Sequence, residues 1–254
     1  MTPRAVVRAI GAKVLPAAKR DRPRAGDFWS DAPEDAEAAQ RNPLARFFWE
    51  NTGSAIDKWH HYFDIYERHL RAHRGTDVHL LEIGVQNGGS ARMLRDYLGP
   101  DAVIWGVDID PACARHDGVA GPVRIGSQAD AAFMRSVAAE MGRIDVVIDD
   151  GSHDSRHVQA AFETLFPLLS EGGAYIVEDM HAAYWPSFSG GYRAPESFVE
   201  WSKAMIDDMH HWYHSFGVRR EVTRDLLSGL HFYDSIIVFD KARVSRPRRT
   251  VVPS

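Results

Sequence analysis

The chain has 254 residues, enough for one α/β domain with additions, and its 44% hydrophobic content is that of an ordinary globular protein. No apolar stretch approaches the roughly 20 residues that span a bilayer, so we expect no membrane span. The net charge of −5 argues against general nucleic-acid binding. Cys113 is the only cysteine, so an intrachain disulfide is impossible and we expect a cytoplasmic protein.

Both ends of the chain are basic. The first 20 residues lack the long apolar core and the cleavage site of a signal peptide, and we expect a mobile arm or a helix that docks on a partner chain. Aromatic pairs and an acidic, alanine-rich segment follow, which predicts helical pieces packed on the main domain. We therefore divide the chain into an N-terminal arm and helical extension (1–54), a main domain (55–241) and a basic tail (242–254).

Apolar residues recur at intervals of three and four between positions 53 and 70, which predicts an amphipathic helix. Lys58 and Tyr62 flank the start of this pattern. Two interpretations are open. The segment is either an ordinary amphipathic helix with a polar flank, or a turn that brings these two side chains over a cofactor pocket.

From residue 75 onward, predicted strands and helices alternate regularly. Short apolar runs predict five buried strands, at 78–84, 102–110, 122–126, 144–148 and 174–177. Helices between successive strands imply parallel pairing with right-handed crossovers, so the fold class is α/β. A further strand at 230–241 predicts an antiparallel addition to the sheet.

Two acidic clusters directly follow predicted strands, IDDGSH at 148–153 and VED at 177–179. Ligands of an open α/β sheet bind beyond the carboxyl ends of its strands, so five residues should meet at one edge: Asp149, Asp150, His153, Glu178 and Asp179. Unpaired, these carboxylates would repel one another strongly, and a divalent cation with oxygen ligands relieves the repulsion. Since no cysteine lies nearby, the pattern favours Mg²⁺ or Mn²⁺ over Zn²⁺.

A simpler interpretation of the first cluster is that Asp150 or Ser152 only caps the helix that begins near Asp154. Capping explains either acidic cluster alone. Two clusters at adjacent strand ends favour the metal site.

The first predicted strand ends in a glycine-containing loop, LLEIGVQNGGS at 80–90. Gly84, Gly88 and Ser90 allow a tight turn close to a ligand, but the spacing is not GxGxxG, which argues against a pyrophosphate cradle. An acid at this strand end suits a cationic ligand. Glu82 could accept a hydrogen bond from an amino group, such as that of S-adenosylmethionine.

Further cofactor-binding positions follow the next strands. Asp108 ends the second strand, where it could accept both ribose hydroxyls. The loop GSQAD places Ser127, Gln128 and Asp130 at the end of the third strand, where an adenine ring could lie. We also assign Asp149, which follows the fourth strand, to the cofactor site.

Six motifs in this order resemble the metal-dependent class I O-methyltransferases that modify sugars: KWHHYFDIYERHL, LEIGVQNGGS, GVDIDP, IGSQAD, IDDGSH and GGAYIVED. The resemblance runs from about Asn42 to Asp240. It implies a Rossmann-like class I methyltransferase fold, with a mostly parallel seven-stranded sheet flanked by helices and an N-terminal helical extension. It also implies that Glu82 and Asp108 hold S-adenosylmethionine.

In that family the metal ligands match Asp150, Glu178 and Asp179, and the catalytic base matches His153. An imidazole suits general-base work near neutral pH. The family includes enzymes that methylate macrolide deoxysugars and actinobacterial relatives that act on mannose-containing polysaccharides. The larger N-terminal additions of the macrolide enzymes have no counterpart in this sequence.

We therefore expect a Mg²⁺- or Mn²⁺-dependent enzyme that methylates a hydroxyl of a saccharide, either a mannoside or polysaccharide precursor or a natural-product sugar. Two alternatives are an NAD(P)-dependent oxidoreductase and a non-catalytic module that binds a sugar or nucleotide. We also expect a homo-oligomer.

The loop after the second acidic cluster supplies candidate acceptor-binding residues: His181, Tyr184, Trp185 and Tyr192. Their flat faces suit the C–H faces of a sugar ring. The alternative is that they only pack the loop onto the core.

Overall fold

The computed structural model describes residues 30, 32–33, 36–217 and 220–252. The chain divides into an N-terminal unit, residues 1–36, and a main unit, residues 37–254. The basic arm predicted for the first 20 residues lies outside the described residues. The sheet and the candidate site lie in the main unit.

Seven strands form one sheet: β1 His79–Ile83, β2 Val103–Asp108, β3 Val123–Ile125, β4 Val146–Asp149, β5 Ala174–Val177, β6 Leu227–Phe232 and β7 Ile237–Lys241. Their order across the sheet is β3-β2-β1-β4-β5-β7-β6. Strands β1 to β5 pair in parallel, whereas β7 pairs antiparallel with β5 and with β6. This pairing confirms the predicted parallel core. The strands are parallel because each crossover returns the chain to the same end of the sheet.

The α-helices of the described residues are α1 Ala36–Arg41, α2 Pro43–Glu50, α3 Tyr62–Leu70, α4 Gly89–Leu98, α5 Ala131–Met141, α6 Ser155–Leu165, α7 Phe198–Lys203 and α8 Met205–Met209. None of these helices is long and apolar enough to cross a membrane.

Each face of the sheet carries its own apolar core. Strand residues alternate between faces, so Leu81 and Val147 point to one side while Leu80 and Ile148 point to the other. Helices α5, α6 and α7 cover the first side, and α2, α3 and α4 cover the second. The sheet is therefore buried on both faces, which leaves the carboxyl ends of its strands for a site.

The helix predicted from 53 to 70 begins only at Tyr62. The residues before it form a bend, irregular backbone and a turn. Lys58 and Trp59 lie in this irregular stretch, where both side chains contact acidic residues at the ends of β4 and β5. Tertiary contacts therefore override the helical periodicity of this segment.

The strand predicted from 230 to 241 is two strands. Strands β6 and β7 form a hairpin whose turn lies between Phe232 and Ile237. Ser235 adopts a φ of +62°, and the Tyr233 amide donates to the Ile236 carbonyl. The turn has no glycine, so the sequence carries little sign of it.

Candidate active site

The carboxyl ends of β1, β4 and β5 lie side by side. The backbone ladder continues past the strands, since the Asp150 amide donates to the Ile83 carbonyl and the Glu178 amide to the Asp149 carbonyl, both at 2.9 Å. The acidic residues that follow β4 and β5 are therefore held next to each other, as the sequence predicted.

Asp150, His153 and Asp179 form a cluster of possible metal ligands. One donor atom from each residue lies within 4.8 Å of the other two. The His153 Nε2 atom is 3.6 Å from an Asp179 oxygen and 4.0 Å from an Asp150 oxygen. His153 and Asp179 both adopt left-handed backbone, with φ of +54° and +53°. Strained backbone of this kind is often retained at functional sites.

The third predicted metal ligand, Glu178, faces a different group. Its side chain is 1% exposed, and its two oxygens lie 3.0 Å and 2.8 Å from the Lys58 ammonium. Lys58 also pairs with Asp150, and the Tyr66 hydroxyl donates to Glu178. Asp150 is thus shared between the buried lysine and the ligand cluster, while Glu178 lies on the lysine side.

The electrostatics of this pair are set by burial and by charge. Burial alone would lower the pKa of Lys58, but Asp150 and Glu178 outweigh it and hold that pKa well above its ordinary value. Burial and the neighbouring Asp150 raise the pKa of Glu178, and Lys58 opposes them. Because the ammonium contacts both oxygens of Glu178, we describe the pair as charged.

Asp179 is held by two residues that follow Lys58 in the sequence. The Trp59 indole N–H donates to its Oδ1 atom at 3.1 Å, and the Tyr62 hydroxyl donates to the same atom at 2.7 Å. Burial, with the nearby carboxylates, raises the pKa of Tyr62. Lys58 and Tyr62, predicted to bind the cofactor, thus contact the acidic cluster.

Residues 58–66 therefore form an anchoring segment for the acidic residues. Trp59 and Tyr66 are site residues that the sequence reasoning missed. One signal was present: Tyr62 and Tyr66 are four residues apart on one helical face, and buried hydroxyls need polar partners.

Glu82, at the end of β1, is buried without a hydrogen-bond partner among the described residues. Its side chain is 1% exposed, and neither carboxylate oxygen is paired. Burial raises the pKa of Glu82 to about 7; the charge of Lys58 opposes this rise, as does the nearby Ser90 hydroxyl, which makes no hydrogen bond of good geometry to the carboxylate. An unpaired buried carboxylate is costly, so this group fits a site that awaits a donor.

Asp108 holds the glycine-containing loop after β1. Its Oδ2 atom accepts from the amides of Val85 and Gln86, at 2.9 Å and 3.0 Å. Burial alone would raise the pKa of Asp108, but hydrogen bonds from backbone amides bring it below its ordinary value. The carboxylate is therefore charged and fixed in direction at the end of β2.

The loop itself requires its glycines. Gly84 and Gly88 have φ of +99° and +70°, and a Cβ atom on Gly84 would overlap the Asp150 carbonyl. Ser90 lies in the first turn of α4. The loop and the acidic cluster are thus in direct contact.

Asp149 and Gln128 brace the loop after β4. The Gln128 amide donates to Asp149 at 3.0 Å and its oxygen accepts from the Ser152 amide at 2.7 Å. The Tyr175 hydroxyl also donates to Asp149, and burial raises the pKa of Asp149 to about 6. Both residues, predicted to bind the cofactor, are buried and paired within the protein.

The other two residues of the predicted adenine loop also have local partners. Asp130 caps α5 by accepting from the amides of Ala132 and Phe133, and Ser127 accepts from the Ala129 amide. The structure also decides whether Asp150 or Ser152 caps the helix after the first acidic cluster. Asp154 caps α6, which leaves Asp150 for the ligand cluster.

Aromatic rings lie in a row beside the cluster. Successive ring centroids are 5.3, 5.0, 5.9 and 6.4 Å apart along the row Trp59, His181, Trp185, Phe188 and His153. Two predicted acceptor residues, His181 and Trp185, therefore lie close to the acids.

The remaining acceptor candidates are more exposed. Tyr184 is 46% exposed and Tyr192 is 79% exposed. The Nδ1 atom of His181 lies 2.6 Å from the Ser235 hydroxyl and 3.9 Å from Asp179, and burial lowers the pKa of His181. Asp179 thus has a histidine on each side.

Comparison with known proteins finds similar methyltransferases. A family model described as a methyltransferase domain matches residues 81–180. Two relatives from Streptomyces olivaceus are the 8-demethyl-8-(2-methoxy-alpha-L-rhamnosyl)-tetracenomycin-C 3'-O-methyltransferase and the 8-demethyl-8-alpha-L-rhamnosyl tetracenomycin-C 2'-O-methyltransferase. The first is 36% identical, over 83% of this chain and 56% of its own length. The second is 38% identical, over 73% and 52%.

Among solved structures, MycE methyltransferase from the mycinamycin biosynthetic pathway, in complex with Mg, SAH and mycinamycin VI, has a TM-score of 0.70 at 32% identity. The match covers 80% of this chain and 53% of MycE. The chain spans about half the length of the curated relatives it matches.

The chain has a class I, Rossmann-like methyltransferase fold, and residues 81–180 match a methyltransferase domain. The chain is similar to these sugar O-methyltransferases over 73–83% of its own length.

Proposed function

We propose that this protein transfers the methyl group of S-adenosylmethionine to a hydroxyl of a saccharide, with Mg²⁺ or Mn²⁺ as its metal. One observation carries the proposal. The ligand cluster of Asp150, His153 and Asp179 lies at the same sheet edge as the unpaired, buried Glu82. The relatives that methylate rhamnosyl groups, and a MycE complex that contains Mg and SAH, support it.

The cofactor fits the residues of the β1 and β2 strand ends. Glu82 would accept hydrogen bonds from the amino group of S-adenosylmethionine, which would satisfy the buried carboxylate. Asp108 would accept from the ribose hydroxyls. Gly84, Gly88 and Ser90 would line the same site.

The carboxylates suit a divalent metal, with Asp150 and Asp179 in the observed ligand cluster and Glu178 held beside them by Lys58. Asp150, Glu178 and Asp179 would hold the ion, and carboxylate oxygens are the ligands that Mg²⁺ and Mn²⁺ prefer. Bound there, the ion would lower the pKa of an acceptor hydroxyl and fix its direction.

His153 would accept the proton that the acceptor hydroxyl loses. Its Nε2 atom lies 3.6 Å from an oxygen of Asp179, at the edge of the proposed metal site. His181 is the second candidate for this role, because it lies on the other side of Asp179. The Ser235 hydroxyl orients His181 and favours His153 as the freer base.

The acceptor would lie along the aromatic row. Trp185 and His181 offer flat faces close to the ligand cluster, and Tyr184 and Tyr192 would extend that surface outward. An acceptor with neighbouring hydroxyls could fill two open positions on the metal, so we propose a saccharide with a vicinal diol.

The biological setting is proposed from the sequence. We propose a cytoplasmic homo-oligomer whose methyltransferase domain spans residues 55–241, with a helical extension before it and a basic tail after it. A mannoside of polysaccharide biosynthesis and a natural-product sugar are both acceptors to test.

The test is binding followed by turnover. Thermal-shift measurements with S-adenosylmethionine, S-adenosylhomocysteine and NAD, with and without Mg²⁺, should show stabilisation by the first two only. Stabilisation by NAD alone would favour the oxidoreductase. Cofactor binding without methyl transfer to any glycoside of a broad panel would favour a non-catalytic module.

A further inference from the structure

Lys58 is a buried cation at the centre of the acidic site. Its side chain is 2% exposed, and its ammonium contacts Asp150 and both oxygens of Glu178. These partners are 92 and 120 residues away in the sequence. The lysine therefore joins the stretch before α3 to the ends of β4 and β5.

The two acids have little freedom to move apart. Their backbone amides are bonded to the Ile83 and Asp149 carbonyls, in continuation of the parallel ladder. Without Lys58, the buried carboxylate of Glu178 and the half-buried carboxylate of Asp150 would lie close together at adjacent strand ends, where their repulsion is only partly screened. The structure supplies one positive side chain in contact with both.

We propose that Lys58 is a positioning residue that holds Asp150 and Glu178 together while the divalent cation is absent, and that it shares both carboxylates with the ion when the ion binds. This inference rests on the proposed function. Its consequence is measurable: lysine and ion neutralise the same charges, so their stabilising effects are not additive.

The experiment compares Lys58→Met, which keeps the length of the side chain but removes its charge, with wild type. Loss of one partner from a buried pair should lower Tm in EDTA by roughly 6–20 °C. Saturating Mn²⁺ should then raise the Tm of the variant by at least about 5 °C more than it raises that of wild type. Lys203→Met is the control, because Lys203 is 46% exposed and pairs with Glu200 on the surface of α7. Its Tm should stay within about 2 °C of wild type in both conditions.

Several results would overturn the proposal. An unchanged Tm for Lys58→Met in EDTA would show that Lys58 does not hold the acids. Equal Mn²⁺ shifts in variant and wild type would show that lysine and ion do not share them. A wild-type protein that binds no Mn²⁺ in a calorimetric titration would overturn the metal part of the proposed function, whereas the EDTA comparison would still decide whether Lys58 holds the acids.

A second variant covers the case in which Lys58→Met does not fold. Lys58→Met/Glu178→Gln removes the lysine and one of the charges that it offsets. The double variant should fold, with a Tm close to that of Glu178→Gln, because the lysine has less charge to offset once Glu178 is neutral. A double variant that fails to fold although Glu178→Gln folds, or a Tm far below that of Glu178→Gln, would contradict the proposal.

Discussion

At the scale of single residues, two histidines flank one carboxylate, and only one of them is needed as a base. His153 has left-handed backbone and lies 3.6 Å from Asp179, whereas His181 is oriented by Ser235. The proposal assigns the proton transfer to His153. The left-handed backbone also determines which substitution is informative, because asparagine tolerates that conformation better than alanine.

His153→Asn should lower kcat by roughly 10²–10⁴-fold, the usual loss for a removed general base, while leaving the affinity for S-adenosylhomocysteine unchanged. Steady-state kinetics and calorimetry measure the two effects. His181→Asn is the matched variant. A larger loss of kcat in His181→Asn than in His153→Asn would move the base to His181.

Glu82 gives a prediction for the protein without cofactor. Folded Glu82 keeps its proton up to about pH 7, whereas the ordinary value is 4.5. Between these two pH values the folded state binds more protons than the unfolded state. The stability that Glu82 contributes at low pH is therefore lost as pH rises through that window. Glu82→Gln removes this loss, and the free energy of unfolding of the variant relative to wild type should increase by up to about 3 kcal/mol from pH 4.5 to pH 8.

Urea unfolding of both proteins at pH 4.5 and pH 8 tests the effect. The same variant should bind S-adenosylmethionine at least about tenfold more weakly, because it lacks the charged acceptor. If Glu82→Gln binds S-adenosylmethionine as tightly as wild type, Glu82 is not the cofactor's acceptor. If the difference in unfolding free energy between the two proteins does not change with pH, the pKa of Glu82 is not raised by folding.

At the scale of elements, the loop from His181 to Tyr192 is fixed by close backbone packing. A Cβ atom on Gly190 would overlap the carbonyl group of Ala183, and the Gly191 amide donates to that carbonyl at 2.9 Å. Gly190 therefore allows the loop to lie against its own first turn, which places the aromatic row beside the ligand cluster.

Gly190→Ala should raise KM for the saccharide severalfold and leave the affinity for S-adenosylmethionine unchanged, because the substitution displaces only the acceptor loop. Gly191→Ala is the control, since its new Cβ would meet only the Ala194 side chain, at 3.2 Å. Kinetics with each substrate varied in turn make the comparison. A KM for the acceptor in Gly190→Ala that equals those of Gly191→Ala and wild type would mean that the position of this loop does not affect acceptor binding.

The anchoring segment shows where sequence reasoning stops. The periodicity at 53–70 predicts a helix, and the part from Tyr62 onward is helical. Lys58 and Trp59 instead extend toward residues about 120 positions away. Such pairings follow from the packing of the whole chain, and local spacing does not reveal them.

At the scale of the whole molecule, the alternation of strands and helices was enough to predict the parallel sheet and the edge at which the acids meet. The sequence also identified Asp150 and Asp179 as neighbours, because both follow buried strands that proved adjacent. It did not separate Glu178 from them. That distinction depends on Lys58, whose partner is chosen by the three-dimensional fold.

The sheet order also explains why one edge holds every part of the site. Strands β2, β1, β4 and β5 are consecutive in the sheet and parallel, so Asp108, Glu82, Asp150 and Glu178 lie at successive strand ends. The residues proposed to hold the cofactor and those proposed to hold the metal thus occupy neighbouring positions. A methyl donor held by the first pair would lie beside a metal held by the second.

The most direct test of that arrangement is the transfer of a labelled methyl group from S-adenosylmethionine to a panel of mannosides, rhamnosides and deoxysugar glycosides. The protein is first stripped with EDTA and then assayed with and without added Mg²⁺ or Mn²⁺. Label should enter one hydroxyl of at least one glycoside, and only when the metal is restored. Full transfer by the metal-free protein would contradict the metal site, and a protein that binds the cofactor but labels no glycoside would contradict the proposed acceptor.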